Sequence, residues 1–207
     1  MGYGSNDLAR FYAGALVLTV MFSAIFSTIS IIEDRREGFL LSMLVSPAPR
    51  TSMVLGKILG AATLAWLQGL IFLAFAPLAG VRPDLVQVLL AAVAIFLVSF
   101  TLTGLGFVIA WRMDSTSGFH AIMNLLLVPM WMVSGSLFPM ATARGMIRAI
   151  MWVNPLTYSI SLLNGLLGLP NAAAGPLVSA GVTVGFGMVL LIASGLIASQ
   201  KSTKSAA

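Results

Sequence analysis

Hydrophobic residues in this chain come in long blocks rather than in strict alternation. Apolar stretches cover residues 11–32, 58–80, 86–110, 119–138 and 176–198. Each reaches the roughly 20 residues a helix needs to cross a hydrocarbon core. Polar positions bunch between them. The longest such bunch runs from Glu33 to Lys57, Arg82-Pro83-Asp84 forms a tight turn, and Trp111-Arg112-Met113-Asp114 separates the third block from the fourth. The pattern predicts an all-α polytopic membrane protein with five transmembrane helices in a single domain over 1–207.

Residues 139–170 follow another rhythm. Arg144 and Arg148 stand one helical turn apart, with Met146, Ile147, Ile150 and Met151 on other faces, which predicts a short interfacial helix. Asn154-Pro155 then breaks the chain. The apolar run 156–169 falls short of the ~17 residues at the lower limit for a span. A re-entrant or interfacial hairpin packed against protein is the expectation there.

Composition supports a membrane setting. Of 207 residues, 59% are hydrophobic and only 8% are charged, too few to clothe a water-facing surface. The first apolar block exceeds the ~7–15 residues of a signal-peptide core, so it is expected to be a retained helix. The net charge of +5 lies in short loops, where it sets topology rather than attracting nucleic acid. Arg35, Arg36, Arg50, Lys57, Arg112, Lys201 and Lys204 fall on one side; Arg10, Arg82, Arg144 and Arg148 fall on the other. This bias predicts that the 33–57 loop and the C-terminus are cytoplasmic and that the N-terminus lies outside. The chain has no cysteine, which excludes disulfides and thiolate chemistry. Gly56/Gly60 and Gly181/Gly185 are GxxxG pairs, marking either ordinary close packing or a subunit contact.

All six acidic residues, Asp7, Glu33, Asp34, Glu37, Asp84 and Asp114, lie outside the apolar blocks or at their ends. An ion-coupled carrier usually holds an ionisable group at depth, so this distribution argues against one. His120 is the one residue within a block whose side chain ordinarily titrates near neutral pH, and a structural role is the simpler reading. No metalloprotease motif, nucleophile elbow or phosphate loop is present, and no catalytic or metal-ligating residue is predicted. Energy for uphill transport would have to enter from another chain.

The stretch EDRREGFLLSMLVSPAPR therefore draws interest. Asp34 is placed to cap a helix whose third residue is Glu37, and the predicted helix covers 34–46. Gly38, Ser42 and Ser46 make a narrow stripe of small residues, and Pro47 and Pro49 end the helix. Two readings stand side by side. One is a solvated charge run with an interfacial helix; the other is a docking helix whose charges orient a partner.

This stretch resembles the coupling helix of the membrane subunits (permeases) of ABC-2 type ATP-driven transporters. The resemblance lies in Glu33-Asp34-Arg35-Arg36-Glu37-Gly38-Phe39-Leu40, then Leu44-Val45-Ser46-Pro47, Arg50 and Leu55-Gly56-Lys57. Many members have threonine after the glycine and an acid two residues later; Phe39 and Leu41 here are more similar to a branch that includes many drug exporters. Ser134-Gly135-Ser136-Leu137-Phe138-Pro139 and Asn154-Pro155-Leu156-Thr157-Tyr158 are similar to the segments that bracket the family's extracellular re-entrant helices. Gly118-Phe119-His120 through Asn124 is similar to the start of its fifth span.

The resemblance implies a permease that exports a hydrophobic or amphiphilic substrate from a bacterial or archaeal inner membrane, paired with itself or a related permease. ATP and Mg would be held by a separate ATP-binding subunit, with no cofactor on this chain. Contact with that subunit would fall to Glu33, Arg35, Arg36, Glu37, Gly38, Phe39, Ser42, Pro47 and Arg50, and the re-entrant hairpin to Gly135, Pro139, Asn154, Pro155 and Tyr158. A substrate path would use Phe22, Phe26, Met123 and Asn124. Family members normally have six spans after an amphipathic elbow helix. The expectation here is that the elbow and first span are missing. A secondary carrier and a non-transporting membrane fragment are the alternatives.

Overall fold

A computed structural model describes residues 3–38, 50–137, 140–170 and 172–200. Helix α1, Tyr3–Phe26, passes through a 3-10 turn at Ser27–Ile29 into α2, Ser30–Arg36. Then come α3, Arg50–Ala74; α4, Leu85–Ala110; and α5, Thr116–Trp131. Two short helices follow, α6 at Gly145–Val153 and α7 at Pro155–Leu166, before α8 at Pro176–Gln200. Among the described residues, five helical segments are long and apolar enough to cross a membrane: Leu8–Arg36, Thr51–Ala74, Leu85–Ala110, Thr116–Ser136 and Pro176–Ala198. The described residues form no strand. The all-α, five-span architecture expected from the apolar blocks is what is found.

Helix α4 packs against α1, α3, α7 and α8. Small residues permit these approaches. A Cβ on Gly69 of α3 would run into Ile95 of α4 and lie 2.9 Å from Val20 Cγ2 of α1. A Cβ on Gly187 of α8 would lie 2.7 Å from Thr101 Oγ1 of α4. Aromatic donors tie helices together through backbone carbonyls, as a low-dielectric interior requires of buried polar groups. The Tyr12 hydroxyl donates to Phe72 O at 2.8 Å, and Trp66 Nε1 donates to Ala92 O at 2.8 Å.

The 3-10 turn in the first span has a local cause. Ser27 Oγ donates to Ser23 O at 2.7 Å, Thr28 Oγ1 to Ile25 O at 2.6 Å, and Ser30 Oγ to Ser27 O at 3.1 Å. Clustered hydroxyl back-bonding perturbs the regular ladder and favours a tightened turn. Gly106 of α4 packs into this spot, where a Cβ would meet Thr28 Oγ1 at 2.7 Å.

Several boundaries differ from expectation. The second span begins near Arg50 rather than at 58, and α3 ends at Ala74 rather than continuing to 80. Pro77 cannot donate to a continuing helix, so Ala76–Ala79 tightens into a 3-10 turn that Gly80 closes at φ 79°. The first span is longer than 11–32 and carries helix through Arg36. A helix capped by Asp34 is therefore corrected. Asp34 sits inside the final turn of α2, where Glu37 N donates to Glu33 O at 2.9 Å. Residues 39–46 of the predicted coupling helix lie outside the described residues.

Candidate functional site at the charged turn

The charged turn is the C-terminal end of the first span. Gly38 has φ +76°, the left-handed conformation that ends a helix and that L side chains resist. A Cβ there would meet nothing within 4 Å, so backbone conformation, not space, favours glycine. Arg35 and Arg36 occupy the last helical turn, where positive charge suits the helix dipole.

Arg35 turns inward. Its Nη2 donates to Trp111 O at 2.5 Å, and its Nη1 to Met113 O at 3.3 Å and Asp114 Oδ1 at 2.9 Å. The guanidinium also lies over the Trp111 ring, 5.5 Å from its centre. Trp111 in turn stacks on Phe107 with centroids 5.4 Å apart and planes at 12°. Arg35 thus supplies donors to carbonyls beyond the end of α4 that lack helical partners. The Asp114 side chain is 84% exposed, so this ion pair alone contributes little; the carbonyl bonds and the ring contact hold the arginine. Beside it, Asp34 forms an ion pair with Lys57 of α3, both side chains being largely buried.

Two neighbouring residues of the charge run therefore join α2 to α3 and to the α4–α5 turn. Glu33, Arg36 and Glu37 remain exposed around the turn. Arg50 begins α3, while Phe39, Ser42 and Pro47 lie outside the described residues. The inward use of Asp34 and Arg35 was not anticipated. Lys57, Trp111 and Asp114 were visible in the sequence, but nothing in their spacing showed that they converge.

A second cluster forms at the opposite end of the bundle. Helix α5 widens after Trp131 into a π turn, Met132–Ser136, in which Gly135 has φ 90°. Two carbonyls at the start of this turn receive side-chain donors. Ser134 Oγ and Ser136 Oγ donate to Trp131 O at 2.5 and 2.7 Å, and Asn154 Nδ2 donates to Met130 O at 2.6 Å. The Asn154 Oδ1 accepts from Leu156 N at 3.0 Å, making it the N-cap of α7, with Pro155 in the first turn. The Tyr158 hydroxyl donates to Trp152 O at 2.9 Å. Gly135, Asn154, Pro155 and Tyr158 are thus placed around two short helices broken at Asn154; Pro139 lies outside the described residues.

The candidate path residues do not share one surface. Phe22 and Phe26 pack with ring centroids 5.3 Å apart, and Phe26 meets the His120 ring at 4.9 Å. Met123 is fully buried, whereas its neighbour Asn124 is exposed on α5.

Five apolar spans, tied at one end by a charged turn and at the other by a broken pair of short helices, define a multi-pass membrane protein. The ABC-2 type transporter family matches residues 1–168, and the chain belongs to that family. It is 27% identical over 158 residues to the putative transport permease ycf38 of Cyanophora paradoxa, covering 75% of this chain and 54% of the relative. It is 25% identical over 167 residues to the linearmycin resistance permease protein LnrN of Bacillus subtilis (strain 168), covering 80% of this chain and 43% of the relative. The chain spans about half the length of the curated relatives it matches.

Proposed function

We propose that this chain is the membrane-spanning part of an ABC exporter, driven by a separate ATP-binding subunit that docks at the charged turn. The observation that carries this is the division of labour within Glu33–Glu37. Asp34 and Arg35 fasten the turn to α3 and to the end of α4, while Glu33, Arg36 and Glu37 face outward. A push on such a turn passes to three spans at once, which is what coupling to a motor subunit needs. Gly38, Phe39, Ser42, Pro47 and Arg50 extend the docking surface in this reading, and the turn faces the cytoplasm of a bacterial or archaeal cell.

The proposed assembly contains two permease chains, either identical or related. Gly56, Gly60, Gly181 and Gly185 support this. All four are exposed, and a Cβ on any of them would meet nothing within 4 Å, so packing among the described residues does not explain them. The proposed cargo is hydrophobic or amphiphilic, reached through the faces around Phe22, Phe26 and Asn124. A relative named for linearmycin resistance is concordant with export of a noxious compound. The two short helices α6 and α7 act as a re-entrant hairpin at the outer face.

Purification of the tagged full chain from its own membranes in mild detergent tests the proposal. An ATP-binding subunit should co-purify in stoichiometric amount. Its recovery should fall when Glu33, Arg36 and Glu37 are reversed in charge. Recovery of the chain without any such companion would refute the reading.

A further inference from the structure

At the end of α3 remote from the charged turn, the chain folds back through Ala76–Ala79 and Gly80 before α4 begins at Leu85. The reversal leaves a trough of ≈ 620 Å³. Its walls are Leu70, Leu73, Ala74, Pro77 and Val88, with one charged residue, the exposed Arg82, completing them. The volume falls within the ~300–1,000 Å³ range of small-molecule sites. Among the described residues no ion pair is made to Arg82. The one carboxylate in the same turn, Asp84, is committed to α4: its Oδ1 accepts from Gln87 N at 2.8 Å, and Gln87 Oε1 accepts from Asp84 N at 3.0 Å.

We infer that this trough binds an anionic phospholipid, with an acyl chain along Leu70, Leu73 and Val88 and the phosphate at Arg82. The complementarity is specific in kind. The apolar walls offer nothing to a free inorganic anion, and a lone cation at an apolar trough matches an amphiphile carrying one negative charge. The trough opens where α3 and α4 meet their connecting turn, the depth at which headgroups lie beside a membrane helix end. Arginine binds phosphate through a planar fork of donors, and its stem covers apolar surface on the way.

Native mass spectrometry of the full chain, purified in mild detergent and exchanged with phosphatidylglycerol or phosphatidylcholine of equal chain length, tests this. Phosphatidylglycerol should be retained about fivefold over phosphatidylcholine, the preference expected of one cation near a headgroup. Arg82→Gln should erase that preference and Arg82→Lys should keep most of it. Arg10→Gln, which removes another exposed charge, should leave it intact. Ala74→Trp, at an exposed wall position, should lower retention of both lipids without changing oligomeric state. Equal retention of the two lipids by the unaltered chain would overturn the proposal, as would equal losses from Arg10→Gln and Arg82→Gln. An Ala74→Trp chain that changes its oligomeric state while keeping its lipid would assign the trough to a second copy instead.

Discussion

Arg35 donates from Nη2 to the backbone carbonyl of Trp111 at 2.5 Å while its guanidinium lies over the same residue's ring. One side chain of the first span thus holds both the main chain and the side chain at the end of α4. Trp111 is 2% exposed, so this contact is made against buried surface rather than in open solvent. Replacing Arg35 with glutamine should remove the fork and the cation–ring contact together. The expected loss is about 1–3 kcal/mol, from charge-assisted bonds to carbonyls plus ring contact. Thermal unfolding of the detergent-solubilised chain should show a lowered midpoint for Arg35→Gln and a nearly unchanged one for the exposed Glu37→Gln. Equal effects from both would mean that Arg35 is not held as described.

Gly38 should be sensitive for a different reason. Its φ of +76° is costly for a β-branched residue, while space around it is open. Gly38→Val should therefore cost about 1–2 kcal/mol of local conformational energy, and Gly38→Asn appreciably less. Under the docking proposal, the valine variant should insert normally but lose ATP-dependent transport. Transport assayed in vesicles alongside ATP hydrolysis separates the cases: unchanged transport by Gly38→Val would remove the turn from the coupling path.

Asn154 serves two elements with two different atoms. Its amide nitrogen donates to Met130 O and its oxygen caps α7 at Leu156 N. Aspartate keeps the cap but cannot donate when ionised, and it sets a carboxylate against a carbonyl. Asn154→Asp should therefore cost about 1–3 kcal/mol from the orphaned acceptor. Asn154→Leu should cost more, because the cap is lost as well. A thermal midpoint for Asn154→Asp equal to that of the native chain would show that the Met130 bond adds nothing.

Much of this was legible beforehand, and the exceptions share a cause. The spans announce themselves because length and apolarity are properties of a single segment. The break at Asn154-Pro155 is equally local, since proline and a capping asparagine write it directly. What could not be read is who meets whom. Arg35 looks like one more solvated charge until α4 is known to end beside it. Asp34 looks like a cap until the helix before it is seen to continue through Arg36. The end of α3 was missed because Pro77 lay in an apolar run; the run supplied greasy surface but not the N–H that a continuing helix needs.

The inferred orientation predicts a labelling pattern, and the absence of native cysteine makes it clean to read. Arg112 and Ala172 are both exposed, the first beside the charged turn and the second between α7 and α8. An impermeant thiol reagent applied to intact cells should leave Arg112→Cys unlabelled and modify Ala172→Cys. Inverted membranes should give the opposite result. The reverse assignment would place the charged turn outside, where no cytoplasmic ATP-binding subunit reaches it.

Two glycines separate packing within the chain from packing between chains. A Cβ on Gly14 would lie 2.7 Å from Ser136 Cβ and 3.2 Å from Ser136 Cα, where α1 meets the π turn after α5. That contact is reinforced by Trp131 Nε1 donating to Gly14 O at 2.8 Å. Gly14→Leu must push these backbones apart and should destabilise the fold by about 1–3 kcal/mol, as overpacked sites do. A Cβ on Gly60 would meet nothing within 4 Å, and the residue is exposed, so Gly60→Leu should leave the thermal midpoint nearly unchanged at protein concentrations where the chain is monomeric. If Gly56 and Gly60 line a subunit contact, the same substitution should still weaken self-association, because a leucine holds two helix backbones apart. Sedimentation in detergent across a concentration series reads both effects. A Gly60→Leu chain that associates as the native one does would free this face for lipid and move the subunit contact elsewhere on the bundle.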